Sequence, residues 1–366
     1  MKKKYLIVGC GFFGAIIAHE LSQISTNEII IIDKRNHIGG NCYTKNDDGI
    51  NVHLYGPHIF RTNSQKIWNY INQFTEFNHY VNRVKVNYQN KIYSFPINLF
   101  TLHQIYGIST PDEAKTLLKR ITIPNENPKN LEEHLLSLVG PDIYEIFFKG
   151  YTIKQWGRDP KDLPKSIITR IPFRLNYDDN YFDAKYQGIP IGGYTDIFYK
   201  LLDRPNIKIE LNTNFLTNKL LFLKSFDRIF YSGPLDEFFE YGDGILCYRT
   251  IKFDHEKIQT EDYQGNAVIN YTSSDIPFTR ITEHKHFEFG KQPHTIITKE
   301  YPEEWNLSKE PLYPINDKLN NDLYSKYKTN ILTFKNITIG GRLGSYKYYD
   351  MDQTIGSALV ITEKLK

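Results

Sequence analysis

Gly9, Gly11 and Gly14 stand at G-x-G-x-x-G spacing, between an apolar run at residues 5–8 and helical apolar spacing through Ala15, Ile16, Ala18 and Leu21. A second apolar run at residues 29–32 ends in Asp33, 19 residues beyond Gly14. This order of strand, turn, helix, strand and acid binds a dinucleotide. The first Gly makes the tight turn, the second lets a pyrophosphate approach the backbone, and the third lets the helix sit close to the strand. The helix N-terminus offers free N–H groups to the phosphates, and Asp33 can accept from a ribose. Other residues suit a further anion. Arg170, Arg174, Arg280 and Arg342 lie among apolar or turn residues, and a guanidinium is a planar, permanently charged fork for phosphate oxygens. Tyr313, Tyr346, Tyr348 and Tyr349 add phenol donors. For any one of these arginines alone, a structural ion pair is the commoner role. No nucleophile triad, carboxylate dyad or metal cluster stands out. His284 and His286 at i, i+2 spacing would share one face of a strand; with no further His or Cys beside them, they read as a solvated strand face. His53 and His58 read as turn-stabilising or cofactor-contacting, and neither as a general base.

The elements that position these groups alternate in type. Past Gly40, Gly56-Pro57 forces a turn between short extended pieces. Asn63 can cap a helix carrying Ile67, Trp68, Ile71 and Phe74. Residues 84–88 and 92–95 read as an antiparallel hairpin. From residue 99 to 150 the pattern is helical. A capping box at residues 110–113 opens one helix, residues 130–133 start another with Leu135, Leu136, Leu138 and Val139 facing inward, and a third is expected near residues 143–149. A Pro-marked segment without a clean period follows and reads as a mobile loop near residues 160–178. Thr195 is a candidate cap for a further helix. Residues 207–210 and 228–231 look like late strands of the parallel sheet, and residues 249–253, 267–271, 279–282 and 295–299 like antiparallel strands. Residues 337–339 run into Gly340-Gly341, with a last helix from about Met351. The expected fold class is α/β (mixed α+β): a discontinuous Rossmann-type domain (residues 1–78, 187–245 and 325–366), a helical insert (98–150), and an antiparallel sheet or substrate domain (79–97, 151–186 and 246–324).

The chain has 366 residues, enough for two or three domains. Its net charge of +3 gives no electrostatic case for nucleic acid. The 27 tyrosines suit polar, stacking ligands, although a general lean toward Tyr, Asn, Ile and Lys accounts for much of the excess. Cys10, Cys42 and Cys247 have spacings that give neither a disulfide framework nor a zinc site. The basic start is followed by too short an apolar run for a signal peptide, and no stretch is long enough for a membrane span, so a reduced, cytoplasmic setting is expected.

Asp33, the short polar stretch after it and Gly39-Gly40-Asn41 resemble the FAD-binding Rossmann proteins rather than the NAD dehydrogenases. Further motifs follow in order: residues 55–60 (YGPHIF), 150–158 (GYTIKQWGR), 186–194 (YQGIPIGGY), 265–270 (GNAVIN), 313–317 (YPIND) and 341–351 (GRLGSYKYYDM). Together they resemble the bacterial UDP-galactopyranose mutases over nearly the whole chain. The resemblance implies an isomerase that interconverts UDP-galactopyranose and UDP-galactofuranose for surface polysaccharides. In that family N5 of reduced FAD attacks the anomeric carbon, so the absence of a side-chain nucleophile is no obstacle. It implies Arg170, on the mobile loop, and Arg280 as diphosphate ligands, with Tyr181, Tyr313 and Tyr348 as phosphate-binding phenols. Tyr151 is implied as the ring on uracil, Trp156 as an active-site tryptophan, and Asn270 and Asp350 as substrate-side groups. For FAD it implies Gly9, Gly11, Phe12, Phe13, Gly14, Asp33, Lys34, Gly40, Asn41, His58, Arg342, Tyr349 and Met351. One position departs: the family usually has His where this chain has Arg61. A longer side chain with more donors there could bond the carbonyl of an N-acetyl group, which extends the expected substrates to UDP-N-acetylgalactosamine; a neutral swap contacting sugar hydroxyls or phosphate is the alternative. An external reductant such as NAD(P)H and a homodimer built on the helical insert are also expected. The rival classes are an FAD-dependent oxidoreductase of the amine-oxidase-like fold and a non-catalytic nucleotide-binding protein.

Overall fold

The structure is a computed structural model, and it describes residues 2–168 and 173–365. Five parallel strands form the first sheet, in the order Ile337–Ile339, Arg228–Tyr231, Lys4–Val8, Glu28–Ile32 and Ile207–Glu210. Lys4–Val8 is paired on both edges, with Ile7 opposite Ile31 on one side and Phe230 on the other. Leu6 and Ile7 are fully buried, which is why this strand reads as a continuous apolar run. The chain leaves Lys4–Val8 toward Glu28–Ile32 and returns much later on its other flank. Strand order therefore reverses at Lys4–Val8, and the crevice beyond the carboxyl end of such a strand is where open α/β sheets take ligands. The helix Phe12–Ser22 is buried at every residue except Glu20, because the sheet lies on one side and the helices Thr195–Leu202 and Met351–Glu363 pack on the others.

The second sheet has seven strands, in the order Tyr313–Pro314, Tyr248–Ile258, Thr295–Glu304, Arg280–Glu283, Val268–Tyr271, Lys85–Tyr88 and Lys91–Ser94. It departs from the all-antiparallel expectation at one ladder, where Val268–Tyr271 runs parallel to Lys85–Tyr88. A long excursion separates these strands in sequence, so a crossover is available and a hairpin is not forced.

The helical region contains Leu99–Tyr106, Pro111–Ile121 and Leu131–Tyr144, and the capping box on Thr110 and Glu113 forms as expected. The third helix is present and starts a little earlier than expected: Gly140 leaves the helical backbone inside Leu131–Tyr144 (φ 78°, ψ 172°), and from Pro141 the chain runs on through a π-helical turn, Glu145–Lys149, into the helix Gly150–Trp156. Leu138 is 51% exposed and does not face inward with Leu135 and Val139. Two caps differ from expectation. Ser64 Oγ accepts from Ile67 N at 3.3 Å, while Asn63 Oδ1 accepts from Lys185 N at 2.8 Å. Thr195 donates to Thr44 O at 2.7 Å and tethers its helix sideways to the strand Thr44–Asp47, with Tyr194 at the cap position. In the Pro-marked segment the described parts include short 3₁₀ turns at Pro160–Asp162 and Lys165–Ile168. Among the described residues no helix is long and apolar enough to cross a membrane.

Candidate active site

The first cavity opens at the carboxyl end of Lys4–Val8. It is lined by all thirteen residues that the sequence implied for a dinucleotide, from Gly9 to Met351. The three glycines of the turn differ in what surrounds them. A Cβ on Gly14 would lie 2.0 Å from Gly9 O, so this residue is fixed by helix–strand contact. A Cβ on Gly11 would meet nothing nearer than Gly40 Cα at 3.8 Å. The protein does not need the missing side chain of Gly11 for its own packing, but a ligand approaching the backbone would. Asp33 Oδ2 accepts from Cys10 N at 2.7 Å and Oδ1 from Arg35 N at 2.9 Å, so the acid also holds the turn closed while its remaining lone pairs face the cavity. Burial and the Asp33 charge push the Cys10 thiol up to about 12, and burial takes Cys42 there too, so neither thiol is a nucleophile at neutral pH.

His58, Arg342 and Met351 line this cavity and a second one, making the two continuous. The second holds Arg61, Tyr181, Asn270 and Asp350, with Arg280, Glu300, Tyr313 and Tyr348 at its far side. Those last four also line an outer cleft with Tyr151, Gln155, Trp156, Arg158 and Arg249. Nine of the ten implied substrate residues therefore meet along one continuous path, contributed by separate segments between Arg61 and Asp350; the tenth, Arg170, lies outside the described residues.

Arg280 is the centre of the path. Its Nε donates to Asn270 Oδ1 at 3.1 Å, its Nη2 to Tyr151 Oη at 3.4 Å, and its Nη1 lies 3.5 Å from Glu300 Oε2. Burial works against its charge, but Glu300 and the surrounding phenols outweigh it and raise its pKa above the ordinary value. Burial raises the Glu300 carboxyl, and Arg280 opposes the shift. Burial also raises Tyr151, Tyr181 and Tyr313, so these phenols stay protonated and can donate. Arg61 lies with its guanidinium 4.3 Å from the centre of the Phe182 ring and 2.7 Å from Asp350 Oδ2. The Arg342 guanidinium sits 4.7 Å from the centre of the Tyr348 ring and donates to Tyr349 O at 2.9 Å.

The profile of the UDP-galactopyranose mutase family matches residues 146–348, and that of an NAD(P)-binding Rossmann-like domain matches residues 7–74. A probable UDP-galactopyranose mutase of Klebsiella pneumoniae is 45% identical, covering 98% of this chain and 93% of its own. A dTDP-fucopyranose mutase of Escherichia coli is 42% identical over 97% of this chain and 96% of its own. The crystal structure of a reduced UDP-galactopyranose mutase superposes with a TM-score of 0.78 at 15% identity, covering 100% of this chain and 94% of that one.

The chain belongs to the UDP-galactopyranose mutase family.

In a mutase of this family the first cavity is the place for a flavin cofactor, and the residues present suit one. The cradle at Gly11 is open, Asp33 keeps acceptor capacity, and Arg342 and the N-terminus of Met351–Glu363 stand where the first cavity meets the second. Burial takes the His58 imidazole down to about 4, so at this junction it is neutral at physiological pH; its Nδ1 lies 2.8 Å from Gly56 O. His53 ends the strand Ile50–His53 and stabilises the turn after it, accepting at Nδ1 from His58 N at 3.1 Å.

The sequence reading missed several lining residues. Thr213, Asn214 and Leu216 follow the strand Ile207–Glu210, and Ser232 follows Arg228–Tyr231. The rule that parallel strands present ligands at their carboxyl ends would have found them. Glu300 and Arg249 gave no such signal, because each sits inside a strand whose alternation says only which face it is on. The solvated strand face expected for His284 and His286 is not present. They lie in a 3₁₀ turn, His284–Glu288. His284 is 2% exposed, lies 2.6 Å from Thr298 Oγ1 and receives His53 N at 3.2 Å; burial lowers its pKa to about 3.

Proposed function

We propose that this protein isomerises UDP-galactopyranose and UDP-galactofuranose, and that it also takes the N-acetylgalactosamine analogue. The observation that carries this reading is the continuity of the glycine-turn cavity with a cleft lined by Arg280 and tyrosine phenols, through His58, Arg342 and Met351. The cofactor is FAD, which in its reduced form supplies the nucleophile for the anomeric carbon; an external reductant such as NAD(P)H maintains that form. The chain's own residues have three tasks. Tyr151 stacks on the uracil, and Trp156 is the active-site tryptophan beside it in the outer cleft. Arg280, its charge favoured by Glu300, takes the diphosphate together with Tyr181, Tyr313 and Tyr348, and steadies the charge that builds as the diphosphate departs. Arg170 is proposed as the second diphosphate arginine. Asn270 and Asp350 hold Arg280 and Arg61 in register with the sugar.

The acetamido extension rests on Arg61. Asp350 and the Phe182 ring fix its guanidinium, and the group carries further donors that face the second cavity. The exposed Phe100, Ile123 and Leu138 of the helical region support a homodimer face, which light scattering tests. The experiment for the function is incubation of the reduced holoenzyme with UDP-galactofuranose and with its N-acetylated analogue, with products separated by chromatography. An oxidoreductase would form oxidised product in step with turnover. A mutase forms only the ring isomer.

A further inference from the structure

The helix Gly150–Trp156 has two working sides. Tyr151 and Gln155, four apart, line the outer cleft, whereas Gly150 and Lys154, also four apart, press on the turn at residues 271–278. Lys154 Nζ shares its donors among four peptide carbonyls of that turn: Tyr271 at 2.7 Å, Ser273 at 2.8 Å, Ile276 at 3.0 Å and Phe278 at 3.0 Å. An ammonium is a compact, strongly hydrated charge with three donors. Here peptide oxygens take the place of its water. The contact around it is tight: a Cβ on Gly150 would lie 2.3 Å from Thr272 O, and Thr272 Oγ1 donates to Ile146 O at 2.6 Å. The clamped turn connects the strands Val268–Tyr271 and Arg280–Glu283, on which Asn270 and Arg280 stand directly opposite each other.

We propose that Lys154 is a positioning residue of the nucleotide cleft, fastening this turn to the helix so that Tyr151 on the helix and the Asn270–Arg280 pair on the strands hold the spacing that binds a nucleoside diphosphate. This rests on the reading of the cleft as a nucleotide site. Deprotonation to the neutral amine removes the charge and one of the three donors that hold the four converging carbonyl dipoles together, and removal of the side chain leaves them to repel one another. The turn then opens, and Arg280 moves away from Tyr151. The device is titratable. Burial lowers the Lys154 pKa to about 8, with Asp275 in the clamped turn opposing the shift. Among the other charges on the elements around it, Glu145 pairs with Lys149 on the preceding turn, and Glu300 with Arg280 and Lys299 with Glu256 on the strand Thr295–Glu304, while Glu304 and Arg158 act on Arg249. Arg249 donates to Lys154 O at the helix end.

The test measures UDP binding to the flavin-loaded enzyme by calorimetry, apart from turnover, from pH 6.5 to 9.5. The parent should lose affinity as pH rises through about 8. Lys154→Met should bind UDP about tenfold more weakly at pH 7, the loss of roughly one charge-assisted hydrogen bond, with unchanged flavin content and no alkaline limb. Asp275→Asn, at an exposed position, should keep neutral-pH affinity and move the limb to lower pH. Affinity in Lys154→Met within twofold of the parent, or a limb unmoved in Asp275→Asn, overturns the proposal; a Lys154→Met protein that does not fold leaves the Asp275→Asn result to decide. A parent that does not bind UDP at any pH refutes the functional reading instead.

Discussion

Replacing Arg280 by Met keeps most of the side-chain volume and removes the charge at the centre of the path. Two effects follow, and they can be read separately. The first is on ligand. Arg280 is half-buried among phenols, and its charge borders the outer cleft where a diphosphate would meet it. Losing one charge-assisted hydrogen bond costs about 1.5–3 kcal/mol, a drop of about 10- to 150-fold in UDP affinity. The second is on Glu300, which is 3% exposed and loses its counter-charge. Its pKa is already raised by burial against the opposing pull of Arg280, so in the variant it rises further. A carboxyl whose folded pKa lies above its unfolded value binds more protons in the folded state. Stability therefore falls as pH rises from the unfolded value, about 4.3, through the folded one. Arg280→Met should thus be most stable in mild acid and lose more melting temperature than the parent between pH 5 and 8. Calorimetric UDP titration and thermal melts of the flavin-loaded protein check both effects. UDP affinity within threefold of the parent together with an unchanged pH–stability curve would refute the assignment of Arg280 as an anion-binding residue whose buried partner is Glu300.

Gly11→Ala and Gly14→Ala should separate ligand approach from packing. The first meets nothing closer than 3.8 Å and should melt within about 2 °C of the parent without flavin, yet bind FAD more weakly; the second meets Gly9 O at 2.0 Å and should lose stability with or without it. Arg61→His removes the Phe182 stack and the reach into the second cavity. Turnover of UDP-N-acetylgalactosamine should fall about tenfold relative to UDP-galactose, as expected for one lost hydrogen bond, and an unchanged ratio in parallel assays would remove the case for the acetamido contact. The buried His53 and His284 and the half-buried His58 all have depressed pKa values, about 4 for His58 and about 3 for His284. A histidine with a folded pKa below its unfolded value binds fewer protons when folded, so stability is lost as pH falls from about 6.5 toward those values, by up to about 1.4 kcal/mol per pH unit per group. Melting temperature should therefore drop steadily from pH 6.5 to 4.5, and a flat curve there would contradict the buried neutral state of these rings.

What the sequence made legible is what local spacing encodes. The glycine turn, the strand runs at residues 5–8 and 29–32, the capping box at Thr110 and the hairpin of Lys85–Tyr88 with Lys91–Ser94 each depend on neighbours within a few positions. What it hid depends on distant partners. Ser64 rather than Asn63 caps its helix because Lys185 claims Asn63. Thr195 turns to Thr44, and the parallel ladder to Lys85–Tyr88 is set by a strand that arrives nearly two hundred residues later. In the site, Arg280 and the phenols were assigned through resemblance to a family, and spacing alone left each as an ordinary surface or core residue. Glu300 and Arg249 were missed because a strand's alternation does not say which of its inward positions borders a cavity. Lys154 stood inside a quoted motif, but its role depends on carbonyls 117 to 124 positions away.

The central claim is a redox-neutral isomerisation on a path that joins the flavin cavity to the nucleotide cleft. It is tested most directly by incubating the dithionite-reduced holoenzyme with UDP-galactofuranose under anaerobic conditions, and following both the sugar nucleotides by chromatography and the flavin by absorbance. The account predicts UDP-galactopyranose as the product, no net flavin oxidation over many turnovers, and no conversion with the oxidised enzyme. Flavin oxidised in proportion to an oxidised sugar, or a reduced enzyme that leaves UDP-galactofuranose unchanged, would contradict it.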